Sequence, residues 1–218
     1  MSPPAAPTVA LVPLRAPGQG KSRLAGSLSV EQRAALAGAM LADVAAALTA
    51  APVDRTVVAA GGPSAVAAAA ALGLDVVADP PAVGDLDGAL RAAAARLGRV
   101  GTLVVVAADL PRLRADDVAA LLHGDDEVVV APTTDGGTGG LLRRPADAIA
   151  TSYGGRSAAR HLDAARRAGL RATRRPLPGF RHDVDVADDL TDLGREDLPP
   201  LGARTAALLD HLGVAATG

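Results

Sequence analysis

The stretch GTLVVVAADLPRL, residues Gly101–Leu113, decides the fold class of this chain. Its first eight residues are almost all apolar and show no polar alternation, which is typical of a strand buried on both faces of a sheet. Asp109 follows the strand directly, and Pro111 comes soon after. A strand that is buried on both faces needs helices above and below it. The stretch therefore predicts a mostly parallel sheet in an α/β protein.

Strand-like and helix-like segments alternate along the rest of the chain. Short Val-rich runs predict strands, and longer Ala-rich and Leu-rich runs predict helices, the first of which opens with a capping box, Ser29-x-x-Gln32. The predicted strands are Thr8–Leu14, Arg55–Ala60, Leu74–Ala78, Gly101–Ala108, Glu127–Ala131 and Leu170–Leu177. The predicted helices are Ser29 to about Ala50, Ser64–Leu72, Leu86–Leu97, Ala115–Leu122, Arg156–Ala168, Asp188–Leu193 and Thr205–Leu212. We expect one domain over residues 8–218, with helices on both faces of the sheet, after a disordered Pro/Ala tail at residues 1–7.

The composition limits the core and the kinds of partner. The 218 residues suffice for one well-buried domain, and they include one Phe, one Tyr and no Trp, so Ala, Val and Leu must fill the core. Cysteine is absent, which excludes disulfides, thiolate metal sites and a thiol nucleophile. The net charge is −2 and the charges are interspersed, which argues against a nucleic-acid partner.

The sequence also argues against a membrane partner. The N-terminus, MSPPAAPTVALVPLR, lacks the basic start and long apolar run of a signal peptide. The longest apolar stretches are interrupted by Gly, Asp or Pro before they reach spanning length. We therefore expect a soluble cytoplasmic protein. The sequence does not set its oligomeric state, and a homodimer stays open.

A cationic glycine-rich loop, RAPGQGKSRL, follows the first predicted strand at the sheet edge where α/β proteins bind ligands. The backbone amides around Gly20 and the cations Arg15, Lys21 and Arg23 suit a polyphosphate. A solvated glycine loop is the alternative.

The same loop resembles the end of a P-loop at GQGKS. However, Arg15 stands where that motif has its first Gly, and Pro17 lies inside the loop. A P-loop helix should also start at the Lys, whereas the better helix start here is Ser29. A P-loop kinase therefore remains a minority interpretation.

Three aspartates are candidate metal ligands. Asp109 lies at the ligand edge of the sheet, and a hard divalent cation such as Mg²⁺ prefers such carboxylate oxygens. In an extended segment, Asp183 and Asp185 would point to the same side, where two like charges need a cation or a proton between them. The alternatives are a turn residue at Asp109 and a solvated acidic turn at the pair.

A candidate anion site follows at the start of a helix. Thr138 and the segment YGGRS, which holds Gly154 and Ser157, could bind a carboxylate or phosphate through hydroxyls, amides and the helix dipole. Arg156 and Arg160 could assist, although Ser157 could also be only a helix cap. His161 falls one turn later and could be surface or site.

Five sequence blocks together resemble the guanylyltransferases of deazaflavin coenzyme (F-420) biosynthesis. These enzymes use 2-phospho-L-lactate or, in actinobacterial relatives, phosphoenolpyruvate. The blocks are LVPLRAPGQGKSRLAG, AADLPRL, DGGTGGLLRRP, YGGRSAARHLDAARRAGL and DVDVADDL, and they run from about Val9 to Leu190. Their order and spacing, rather than any single block, carry the resemblance.

The resemblance implies a Rossmann-like nucleotidyltransferase fold, GTP as co-substrate and Mg²⁺, with two ions expected. It implies that Asp109, Asp183 and Asp185 bind the metal, with Lys21 and Asp109 as catalytic residues. It places Thr138, Gly154 and Ser157 at the small phospho-acid, and it places Arg15, Gly20, Lys21, Arg23 and Asp87 at the nucleotide. Relatives usually carry Asn where this chain has Asp87, which alters an expected nucleotide contact.

These residues support in-line attack of an acceptor phosphate oxygen on the α-phosphorus of GTP, with release of pyrophosphate. The composition of the chain favours phosphoenolpyruvate over 2-phospho-L-lactate as the acceptor. Three alternatives remain: another nucleotidyltransferase or glycosyltransferase of the same fold (molybdopterin or sugar type), the P-loop kinase, and a non-catalytic nucleotide-binding module.

Overall fold

The computed structural model describes residues 6–15, 24, 26–78, 85–185, 189–190, 193, 195 and 197–213. Its centre is a seven-stranded sheet in the order β3-β2-β1-β4-β6-β5-β7. The strands are β1 Thr8–Arg15, β2 Arg55–Gly61, β3 Asp75–Ala78, β4 Thr102–Val106, β5 Val128–Pro132, β6 Thr138–Arg143 and β7 Ala172–Arg174. Strand β6 runs antiparallel to β4 and β5, and the other pairings are parallel. The prediction of a mostly parallel sheet is confirmed.

Helices cover both faces of this sheet, as predicted. They are α1 Val30–Ala50, α2 Pro63–Ala71, α3 Leu86–Ala94, α4 Ala115–Leu122, α5 Ser157–Arg167 and α6 Ala203–Leu212. Alternate residues of β1 enter different cores: Ala10 and Val12 pack with α1, α2 and α4, whereas Val9 and Leu11 pack with α3 and α5. Both cores consist almost wholly of Ala, Val and Leu, as the composition requires.

Helix α1 shows the predicted capping box and differs from one expectation. Ser29 Oγ accepts from Gln32 N at 3.2 Å, and Gln32 Oε1 accepts from Ser29 N at 2.8 Å. By length and composition alone α1 could cross a membrane, although we expected no apolar stretch of that length. In this fold it is a core helix: Leu41 and Leu48 are buried under the sheet. Its Asp43 accepts hydrogen bonds from the first turn of α6.

Strand β6 is missing from the predicted strands, because it begins inside the glycine-rich segment TTDGGTGG, whose composition is typical of a loop. The second half of that segment opens β6, and its residues are buried. A Cβ on Gly139 would lie 2.5 Å from the carbonyl oxygen of Phe180, and one on Gly140 would lie 2.7 Å from the Phe180 ring. Glycine is depleted in strands, so the composition indicated a loop. The close approach of Phe180 is the physical reason for glycine here.

The other boundaries differ from the predictions by small shifts, with three exceptions. The last strand is limited to Ala172–Arg174, shorter than the predicted Leu170–Leu177. A 3-10 turn at Pro178–Phe180 precedes the segment that holds Asp183 and Asp185, which was expected to be extended. Half of the predicted helix at Asp188–Leu193 lies outside the described residues. So do residues 1–5 of the predicted tail, whereas Pro7 O accepts from Gly101 N at 2.9 Å at the start of β4.

Candidate functional site

A cavity of about 560 Å³ lies at the carboxyl ends of β1 and β4, where ligands were expected. Four carboxylates line it: Asp109, Asp135, Asp183 and Asp185. The backbone N–H of Val184 donates to the carbonyl oxygen of Asp109 at 3.2 Å, which holds the segment 183–185 beside the end of β4. The Val184 side chain is buried, whereas Asp183 is half-buried and Asp185 is exposed. The structure thus brings the three predicted aspartates to one cavity.

The electrostatics of this cluster are those of like charges held close together. The pKa of Asp183 is raised to about 7, first by burial and then by the neighbouring charges of Asp109 and Asp185. Asp135 adds a smaller effect in the same direction. A divalent cation would relieve this repulsion, and carboxylate oxygens are the donors that Mg²⁺ or Mn²⁺ prefers.

The carboxylates of this cluster lie farther apart than the ligands of a complete metal coordination shell. Among the residues that the structure describes, no group of three or more His, Cys, Asp or Glu side chains is arranged to hold an ion together. The chemical type and the position of the donors therefore fit a divalent cation. The closing of the side chains around an ion stays a prediction.

Asp135 is a carboxylate of this cavity that the sequence analysis missed. Its Oδ1 accepts from Thr133 Oγ1 at 2.5 Å and from Gly137 N at 2.9 Å. These bonds, the Thr133 bond first, hold the pKa of Asp135 below its usual range. An Asp before two glycines, directly after a buried strand, is the sequence signal that could have revealed it.

The described cations at the cavity are Arg15 and Arg33. Arg15 ends β1, as expected for a residue of the polyphosphate loop. Arg33 lies in the first turn of α1 and was not predicted. Its Nη1 donates to Leu28 O at 3.3 Å, and its Nε is buried without a hydrogen-bond partner within the described ranges. The predicted loop residues Gly20, Lys21 and Arg23 lie outside the described residues.

The residues of the predicted anion pocket line the same cavity as the four aspartates. Thr138, Gly154 and Ser157 all contact it, and Thr138 Oγ1 lies 2.9 Å from Ser157 Oγ. Ser157 is the first residue of α5. Gly154 has φ +101°, a conformation that side chains other than glycine rarely adopt. Arg156, the N-cap of α5, has φ 56°. Such a turn directs the start of α5 towards the cavity.

Arg160 holds the loop before α5 in shape. Its guanidinium donates to Ser152 Oγ at 2.9 Å, to Tyr153 O at 2.7 Å and to the carbonyl of Gly155. This differs from the expectation that Arg160 assists anion binding, because its observed partners are loop carbonyls and a hydroxyl. The arginine fixes the turn that contains Gly154.

His161 lies beneath the anion pocket and is fully buried. Its Nε2 accepts from Ser152 N at 2.8 Å, and its Nδ1 lies 3.2 Å from Thr138 Oγ1. Burial is the main reason that the pKa of His161 is lowered to about 4. The ring of Tyr153 packs edge-on against it, with centroids 5.1 Å apart. The surface alternative for His161 is therefore excluded.

Asp87 supports the same loop from α3. Both of its carboxylate oxygens accept from Tyr153 N, at 3.0 and 3.1 Å. It lines a second cavity, of about 690 Å³, which runs along α3. The predicted contact of Asp87 with the nucleotide stays a prediction, and the observed contact is with the loop before α5.

Comparisons with known proteins show the family of this chain. The family model described as guanylyl transferase CofC-like matches residues 8–215. A phosphoenolpyruvate guanylyltransferase from Roseiflexus castenholzii is 35% identical over 86% of this chain and 88% of its own length. A 3-phospho-D-glycerate guanylyltransferase from Phenylobacterium zucineum is 37% identical over 88% of this chain and 90% of its own length.

Solved structures share the fold. A Desulfovibrio desulfuricans G20 protein assigned as a nucleotide-diphospho-sugar transferase has a TM-score of 0.75 and 19% identity, covering 96% of both chains. Rv0371c from Mycobacterium tuberculosis, solved with manganese, has a TM-score of 0.55 and 23% identity, covering 85% of this chain and 96% of its own. The sheet order and the match over nearly the whole chain lead to one conclusion: this chain is a nucleotidyltransferase and belongs to the CofC-like guanylyltransferase family.

Proposed function

We propose that this enzyme transfers GMP from GTP to the phosphate of a small phosphorylated carboxylic acid and releases pyrophosphate. Phosphoenolpyruvate is the preferred acceptor, because it is named for the Roseiflexus relative and for most of the similar relatives. The observation that carries the proposal is that one cavity contains both the acidic cluster and the anion pocket, which is formed by two hydroxyls and the start of α5. A cation site beside an anion pocket suits two phosphorylated substrates.

The anion pocket would hold the acceptor. The hydrogen-bonded hydroxyl pair of Thr138 and Ser157 offers a hydrogen bond to a carboxylate or phosphate, and the start of α5 adds its partial positive charge. The turn at Gly154 lets the backbone approach the acid closely. Arg160 keeps that turn fixed, so little ordering is left to occur on binding.

The acceptor needs no dedicated base in this scheme. The second pKa of a phosphate ester is roughly 6, so the nucleophile is largely ionised at neutral pH. One of its oxygens forms a bond to the α-phosphorus of GTP while the bond from that phosphorus to the bridging oxygen of pyrophosphate breaks. The buried histidine of the site contacts the Thr138 hydroxyl.

The main barrier is the repulsion between two polyanions. Asp109, Asp183 and Asp185 would hold a divalent cation, which would neutralise the charge that develops on the phosphates. Arg15 and Arg33 from this chain, with the predicted Lys21, would screen the triphosphate from the β1 side. The number of ions, predicted as two, and the contacts of Gly20, Arg23 and Asp87 with the nucleotide belong to the proposal. The solved structure of Rv0371c contains manganese, which supports a divalent cation in this fold.

A second acceptor is favoured by one observation. The Phenylobacterium relative, named for 3-phospho-D-glycerate, is as similar to this chain as the relatives named for phosphoenolpyruvate. Both acids, like 2-phospho-L-lactate, present a carboxylate and a phosphate a few atoms apart. The guanylylated product would serve coenzyme F-420 biosynthesis, a role supported by the motif resemblance alone.

A pyrophosphate-release panel tests the proposal. The four NTPs are each combined with phosphoenolpyruvate, 2-phospho-L-lactate or 3-phosphoglycerate, with Mg²⁺ or with a chelator. Release should need GTP, Mg²⁺ and an acid together, with phosphoenolpyruvate fastest. Release of orthophosphate from ATP would instead support the kinase alternative, and ligand binding without turnover would support a non-catalytic module.

A further inference from the structure

A line of buried hydrogen bonds runs from Ser152, in the loop before α5, through His161 to the anion pocket at Thr138 and Ser157. The N–H of Ser152 donates to His161 Nε2 at 2.8 Å. His161 Nδ1 lies 3.2 Å from Thr138 Oγ1, which lies 2.9 Å from Ser157 Oγ. His161 is 0% exposed, Ser157 is 1% exposed and Thr138 is 7% exposed, so water does not compete for these bonds. Thr138 and Ser157 also line the active-site cavity.

The first bond in this line fixes the tautomer of His161. A backbone N–H can only donate, so Nε2 must accept and carries no proton. In a neutral imidazole the proton then sits on Nδ1, which becomes the donor to Thr138 Oγ1. The lowered pKa, about 4, supports the neutral form: burial is the largest cause, and Arg143 and Arg160 act in the same direction against Asp87.

The tautomer in turn limits how the two hydroxyls can be arranged. Thr138 Oγ1 accepts from His161, and Ser157 Oγ lies 2.9 Å from it, where it can accept the Thr138 proton. A buried hydroxyl proton without an acceptor is unfavourable. When Thr138 donates to Ser157 Oγ, the Ser157 proton is left for the cavity that both residues line. Within the described residues, Thr138 Oγ1 is the one hydrogen-bond partner of Ser157 Oγ.

We propose that His161 is a positioning residue, which acts through Thr138 to present the Ser157 hydroxyl as a hydrogen-bond donor to the anionic acceptor acid. The identity of that acid rests on the function proposed above. The donor direction matters because a carboxylate or phosphate oxygen can only accept. With the opposite direction, a hydroxyl lone pair would face the anion and repel it.

This line of hydrogen bonds predicts which kinetic constant each variant changes. Ser157→Ala removes a hydrogen bond to a charged group, so the KM for the acid should rise roughly tenfold or more. His161→Gln keeps an acceptor for Ser152 N but places no donor at Thr138, so the KM for the acid should rise about three- to tenfold. The KM for GTP should change less than about twofold in either variant.

A double-mutant cycle gives the test. If His161 acts through the Ser157 hydroxyl, His161→Gln adds less than about twofold to the acid KM of Ser157→Ala. The proposal would be overturned if the two fold-increases in the acid KM multiply in the double variant. It would also be overturned if the KM for GTP changes as much as the KM for the acid. His123→Gln, at an exposed histidine after α4, is the matched control and should leave both constants unchanged.

Two further measurements separate this proposal from the proposed function and from loss of folding. Nitrogen-15 NMR of the labelled histidines needs no turnover, and it should show a protonated Nδ1 and an unprotonated Nε2 for His161 at neutral pH. The opposite tautomer would overturn the proposal even if the enzyme is active. If His161→Gln fails to fold, Thr138→Val replaces it in the cycle, and multiplicative costs with Ser157→Ala would count against the line.

Discussion

The backbone N–H of Val184 donates to the carbonyl oxygen of Asp109 at 3.2 Å. This bond joins the end of the central strand to a segment that lies far away in the sequence. Val184 turns its side chain into the core, so its two aspartate neighbours face away from the core and towards the cavity. One backbone contact and one buried valine thus bring three carboxylates together.

Asp109→Asn should damage catalysis far more than folding. The change removes one charge from the proposed cation site, and kcat/KM should fall by roughly 100-fold or more. The melting temperature should stay within a few degrees of the wild type, since Asn keeps the size of the side chain. Asp116→Asn, at an exposed acid in the first turn of α4, is the matched control. A fully active Asp109→Asn enzyme with ordinary Mg²⁺ dependence would refute the metal assignment.

Binding of Mg²⁺ should weaken as the pH falls through 7. The pKa of Asp183 is raised to about 7, so below that pH the cation must displace a proton. Titration calorimetry with Mg²⁺ at pH 6, 7 and 8 measures this. Affinity should drop most between pH 7 and 6, and the heat should vary with the ionisation enthalpy of the buffer. An affinity that is constant over this range would contradict the prediction.

The same aspartate should make the metal-free protein less stable as the pH rises. Its folded pKa lies above the unfolded value of 3.8, so the folded state binds more protons and loses stability between about pH 4 and 7. His161 acts in the opposite direction, since its folded pKa is lowered to about 4 and its stabilisation is lost as the pH falls below 6.5. Urea unfolding in EDTA should therefore compare the wild type with Asp183→Asn. The difference between their unfolding free energies should grow with pH and level off above pH 7.

Arg33→Gln should weaken GTP binding. This guanidinium lines the cavity from α1 on the side of β1, and its Nε has no hydrogen-bond partner in the described part of the chain. Loss of one partly desolvated contact to a phosphate should raise the KM for GTP roughly tenfold, with a smaller change for the acid. Arg91→Gln is the control, because Arg91 lines the neighbouring cavity. Equal effects of the two variants would remove Arg33 from the proposed site.

Gly139→Ala should destabilise the enzyme, whereas Gly38→Ala should not. A Cβ on Gly139 would lie 2.5 Å from the backbone oxygen of Phe180, and overpacking of this kind costs roughly 1–3 kcal/mol. A Cβ on Gly38 in α1 meets nothing within 4 Å, and replacing a helical glycine gains about 0.5–1 kcal/mol. Chemical denaturation of the two variants measures both changes. If Gly139→Ala is as stable as the wild type, the close packing of Phe180 on β6 is wrong.

Local patterns predicted much of this protein. The apolar run before Asp109 fixed the central strand, and the Ser29 capping box fixed the start of α1, because both depend on residues that are adjacent in sequence. The strand β6 was missed, since its glycines reflect the approach of Phe180 and not the preference of the segment itself. Asp135 was missed for a similar reason: its place in the cavity depends on the hairpin that β6 forms.

The line through His161 shows a further limit of the sequence. Spacing placed Ser157 and His161 on the same side of a helix, and the resemblance assigned Thr138 and Ser157 to the acceptor. Neither could show that Ser152 donates to the histidine, because that contact depends on the loop that Arg160 holds. The proposed direction of the hydroxyls depends on that spatial contact.

The most direct test of the central claim is pyrophosphate release from GTP and phosphoenolpyruvate in the presence of Mg²⁺, with identification of the guanylylated acid by mass spectrometry. We predict stoichiometric pyrophosphate and product, neither of which forms when the acid, the nucleotide or the cation is omitted. No release with phosphoenolpyruvate, 2-phospho-L-lactate or 3-phosphoglycerate, from a folded protein that binds GTP and Mg²⁺, would contradict the proposed function.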